Sequence, residues 1–79
     1  MSSIRVFVNA TAVDLPTGST AIDAVRAWRA DVADEVSAGS RVITDSRGLP
    51  VDGNVQAFAG SIFRVVSQRE RAADATGLA

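Results

Sequence analysis

The sequence predicts an α+β fold in which one main helix packs across a mixed sheet of four or five strands. Three observations point to it. Short stretches of alternating apolar residues stand near both ends of the chain. A single stretch with helical apolar spacing lies between them. The third observation is size: 79 residues bury roughly 60–65% of the surface that their unfolded chain exposes, enough for one core and no second domain. One helix laid across one sheet solves the burial problem for a chain this short.

The elements follow in order. In IRVFV (residues 4–8), Ile4, Val6 and Val8 share one face, while Arg5 and Phe7 share the other. Asn9 suits the turn that follows, because Asn tolerates a positive φ. TAVDLP returns as a second strand, with Val13 and Leu15 toward the core and Pro16 ending the pairing. Gly18 permits the bend, Thr20 caps a helix, and Asp23 three residues later completes a short capping box. Ile22, Val25, Trp28, Val32 and Val36 then recur at helical spacing; the regular helix is expected to end near Ala30 to Ala33, with DEVSAGS a loop that holds one more helical turn at most. RVITD is a third strand and LPV a short edge strand, where Pro50 loses no needed ladder bond. NVQAFAG is irregular or one helical turn, with Val55 and Phe58 expected to point inward. SIFRVVSQ is the last strong strand. The expected domain covers residues 1–68, and the polar, Ala-rich segment 69–79 is expected to be a flexible tail. Pairing the two most apolar strands at the centre makes the first and last strands parallel neighbours.

Composition excludes much chemistry. Apolar residues at 47% and charged residues at 22% argue against disorder of the whole chain. A net charge of −1 without runs of like charge argues against nucleic-acid and anionic-membrane partners. No apolar stretch is long enough to span a bilayer, and the start lacks the pattern of a secretory signal, so a cytoplasmic location is expected. There is no Cys and no His, which removes the thiolate and imidazole ligands and the usual general base. All eight basic residues are Arg, so no side-chain amine can form a Schiff base. Asp14, Asp45 and Asp52 each fall in a turn or at a strand end, where Asp bonds local backbone. Gly18, Gly48 and Gly53 match no phosphate-binding spacing. No enzyme, cofactor or metal site is expected.

One surface stands out. If Phe63 and Val65 face the helix, which avoids burying Arg64, then Ile62, Arg64 and Val66 lie on the open face of the sheet beside Arg5 and Phe7. Phe7, Ile62 and Val66 edged by Arg5 and Arg64 have the makings of a contact surface, since aromatics and Arg are enriched where interfaces lose water. Trp28, by contrast, belongs to the apolar helix stripe and is expected in the core.

The segments IRVFVN, DLPTGSTAIDAVRAW and ITDSRGLPVDGNV together resemble the ubiquitin-like β-grasp fold, in its ThiS/MoaD-like sulfur-carrier branch. The likeness runs from about Ile4 to Val66. It implies a larger protein partner, such as an adenylating or sulfur-transfer enzyme. It also implies a working tail, because such carriers end in Gly-Gly and are activated at the terminal carboxylate. This chain departs from that pattern, having only Gly77, preceded by Thr76 and followed by Leu78 and Ala79. Three roles are therefore open: a non-catalytic module acting through its sheet face, a carrier whose Gly77 is exposed by removal of Leu78-Ala79, or an accessory subunit or scaffold of a larger enzyme. Self-association through the open sheet face or the edge near Val51 is a further expectation, giving a monomer or a weak homodimer.

Overall fold

The computed structural model of the chain describes residues 2–68, so the expected tail lies outside the described residues. Six elements follow one another: β1 (Ser3–Val8), β2 (Thr11–Pro16), α1 (Ala21–Trp28), α2 (Ala30–Ser37), β3 (Arg41–Thr44) and β4 (Ile62–Ser67). The four strands form one mixed sheet in the order β2-β1-β4-β3. The class is α+β, as the periodicity indicates.

β1 and β2 form a hairpin paired from Ser3↔Pro16 to Val8↔Thr11. Its two-residue turn places both Asn9 (φ 49) and Ala10 (φ 68) in the left-handed region. A turn of this hand matches the twist of the flanking strands, which is why it tolerates the strain. Asn carries that conformation cheaply, but the Cβ of Ala10 crowds its own carbonyl. Ala10→Gly is therefore expected to raise the urea midpoint, adding about 0.5–1 kcal/mol of stability with an unchanged slope. An unchanged midpoint would mean that the turn relaxes in solution.

β1 lies parallel to β4 at the sheet centre, with Phe7 opposite Ile62 and Val8 opposite Phe63. Backbone bonds from Phe7 N–H to Ser61 O (2.9 Å) and from Asn9 N–H to Phe63 O (3.0 Å) hold the pair. β3 closes the far edge antiparallel to β4, from Arg41↔Ser67 to Thr44↔Arg64.

α1 starts as its sequence demands. Thr20 Oγ1 accepts the Asp23 N–H, and Asp23 Oδ2 accepts the Thr20 N–H at 2.9 Å. Two further amides at the helix start are satisfied by distant backbone: Ala21 N–H donates to Val55 O and Ile22 N–H to Gly53 O, both at 2.9 Å. Gly53 permits this approach, since a Cβ there would stand 3.2 Å from the Cβ of Ile22.

Three expectations are corrected. The single helix is two helices, because Arg29 adopts an extended conformation (φ −154, ψ 115) and serves as the C-cap of α1 and the N-cap of α2. An unbroken helix of that span would run about 25 Å, longer than the strands of about 13–20 Å beneath it. The break lets α2 turn Val32 and Ala33 inward and pack on β3 while α1 covers β1 and β2. The expected edge strand is reduced to an isolated bridge between Thr44 and Pro50, with Val51 N–H bonding Ile43 O at 2.9 Å. Pro50 has no N–H to extend the ladder further. Val55 and Phe58 point outward, at 43% and 62% exposure, while Ala57 is buried. Ala57 N–H donates to Ser19 O at 2.8 Å, and that anchor draws the small residue inward and turns its larger neighbours out.

The core lies between the helices and one face of the sheet, with Val6, Val8, Val25 and Ile43 as its largest fully buried side chains. Trp28 is half-buried against this core, with the Arg29 guanidinium 5.7 Å from its ring centre.

Candidate functional site

The face of the sheet opposite the helices carries the candidate site. Alternation along β4 sends Phe63 and Val65 into the core, at 5% and 6% exposure, and leaves Ile62 at 49%. On β1 the same alternation buries Val6 and Val8 and leaves Arg5 exposed and Phe7 half-buried. Because Phe7 and Ile62 are directly opposed in the parallel pair, their side chains stand together on the open face.

Around them lies an open concavity of about 640 Å³ lined by Phe7, Asn9, Ala10, Ser46, Ile62 and Arg64. Three residues expected from the sequence, Phe7, Ile62 and Arg64, thus meet in one hollow. Two others stand outside its lining. Arg5 is held by Asp14 across the hairpin, with Nε 2.9 Å from Oδ1. Val66 lies farther along β4, half-buried opposite Val42. Thr76 and Gly77 lie outside the described residues.

Asn9, Ala10 and Ser46 are lining residues that alternation did not single out. Asn9 also has a structural task. As β1 turns away, its Oδ1 accepts the Val65 N–H at 2.9 Å and its Nδ2 lies 3.5 Å from Val65 O. The carboxamide thereby continues the central ladder by one step after the main chain has left it. The available signal was an Asn at the very end of the central strand, where a side-chain amide can imitate a peptide group.

The charges near the site differ in their commitments. Arg26 and Arg47 pair with Asp23 and Asp45, at 3.9 and 3.3 Å, and Arg41 pairs with Glu35. Arg64, exposed on β4, has no ion pair among the described residues. Asp45, next to Ser46, is engaged in its own turn, accepting the N–H of Arg47 at 2.8 Å and of Leu49 at 3.0 Å. Asp52 likewise accepts the Asn54 N–H at 2.9 Å.

Two carboxyls titrate below their ordinary value of 3.8: Asp14 through its hydrogen bond and charge contact with Arg5, and Asp45 chiefly through the Leu49 N–H. Since these pKa values are lower folded than unfolded, their contribution is fully present above pH 3.8. It fades as pH falls through the lower folded values. Without His, Cys, Tyr or Lys, the chain has no side chain whose ordinary pKa lies between about 5.5 and 8. The melting temperature is therefore expected to be flat from about pH 5.5 to 7 and to fall below about pH 4. Melts that change steeply near pH 6.5 would contradict this.

Among the described residues, no helix is long and apolar enough to cross a membrane. Comparison with known proteins finds no match to this chain among family models, curated proteins or solved structures.

Proposed function

We propose that this chain is a small non-catalytic module of the ubiquitin-like β-grasp, ThiS/MoaD-like kind. It works in the cytoplasm by binding a larger protein through the open face of its sheet. The observation that carries the reading is the apolar pair at the sheet centre, half-buried Phe7 and exposed Ile62, on the face away from both helices. Ile62, 49% exposed on a central strand beside Phe7, gives a partner an apolar anchor on this face. The strand order β2-β1-β4-β3, with first and last strands parallel at the centre, is the arrangement that the β-grasp resemblance implies.

The test is a double variant, Phe7→Asp with Ile62→Asp. Its circular dichroism is expected to match that of the parent chain, because neither side chain belongs to the buried core. Proteins captured from a host lysate by the parent chain are expected to be lost. Capture of the same proteins by the folded variant would remove the reading.

A further inference from the structure

The chemistry of the hollow narrows the kind of partner it takes. Its walls are apolar at Phe7, Ala10 and Ile62, and its charge among the described residues is a single guanidinium, that of Arg64. Among the described residues no carboxylate lines it, so a basic segment would find none of them to pair with. The guanidinium also has no carboxylate partner among the described residues. Arg5, Arg26, Arg41 and Arg47 each sit against a carboxylate, and Arg29 lies against Trp28, whereas Arg64 has no such contact among the described residues. Ser46 adds a hydroxyl on the same rim. The Asn9 carboxamide is already spent on the Val65 backbone.

From this charge complementarity we infer that the hollow receives a peptide segment of the partner in which an apolar side chain stands beside a carboxylate. The apolar side chain lies between Phe7 and Ile62, and the carboxylate meets the Arg64 fork. A planar guanidinium offers paired donors that match a carboxylate's two oxygens, and the apolar floor excludes the water that would otherwise weaken the contact. A volume of about 640 Å³ falls within the usual range of binding pockets, roughly 300–1,000 Å³. The inference rests on the contact-face reading above and adds to it the chemistry of the occupant.

The experiment pans a random twelve-residue phage-displayed library on the full 79-residue chain and remakes the enriched peptides synthetically, with blocked termini. Enriched peptides are expected to carry Asp or Glu within two positions of Leu, Ile, Val or Phe. Changing that acid to its amide is expected to weaken binding about tenfold. Arg64→Gln is expected to cause a similar loss, and the two changes together little more than either alone. Absence of enrichment, or a binding loss indifferent to Arg64→Gln, overturns the inference. Enrichment of neutral apolar peptides that Ile62→Asp abolishes also overturns it, yet leaves the contact face standing. If the lysate partners too survive the double variant, both fall.

Discussion

Ile43→Ala is expected to lower the unfolding free energy by about 3 kcal/mol. Ile43 is 1% exposed in the middle of β3, between β4 and the helical layer. Removing most of its side chain forfeits the transfer energy of the lost carbons and leaves a cavity that close-packed neighbours fill only in part. For a chain of 79 residues, total stability is about 4–12 kcal/mol, so one truncation removes a large share of it. Ile43→Val, which deletes one methylene, is expected to cost about 1 kcal/mol. Urea titration followed by fluorescence of the single Trp measures both. A loss under about 1 kcal/mol for the Ala variant would place Ile43 at the surface and overturn the helical cover over β3.

Asn9→Ala is expected to cost nearly as much, about 2–4 kcal/mol, although Asn9 is exposed. Two effects combine. The Val65 N–H loses its acceptor in a partly buried site, worth about 1–3 kcal/mol. A non-glycine residue without a polar side chain must also hold φ 49, adding about 1 kcal/mol. Asn9→Gly separates them, because it relieves the backbone and still abandons Val65. It is expected to recover about 1 kcal/mol of the loss and no more. Hydrogen exchange at the Val65 amide is the direct readout and is expected to accelerate in both variants. A stability change within about 0.5 kcal/mol for the Ala variant would show that solvent replaces the carboxamide without cost.

These variants also mark where the sequence was legible. Strands β1, β2 and β4 carry a period of two, and a period of two assigns each side chain to a face. Phe7, Ile62 and Arg64 were readable for that reason. The stripe of Ile22, Val25, Trp28, Val32 and Val36 has helical spacing throughout, so it conveys helix but hides the break. Arg29 is neither Gly nor Pro, so its residue type does not announce the extended backbone there. The segment around residues 53–57 was least legible. Its placement depends on carbonyls and amides that every residue possesses, so the hydropathy of Val55 and Phe58 pointed the wrong way. The hollow was half legible. Alternation supplied its walls, while Ala10 and Ser46 arrive through loop geometry.

The clasp between the start of α1 and the Gly53–Val55 carbonyls bears on how the chain folds. Each helix is only eight residues long, below the roughly 12–15 at which an isolated helix becomes marginal in water. A synthetic fragment covering both would lack the carbonyls that answer Ala21 and Ile22, as well as the strands beneath. Such a fragment is expected to give a coil spectrum by circular dichroism, because the helical layer depends on the strands and loops around it. Part of that dependence is local, since α1 packs on β1 and β2, and part is distant, through the carbonyls of residues 53 and 55.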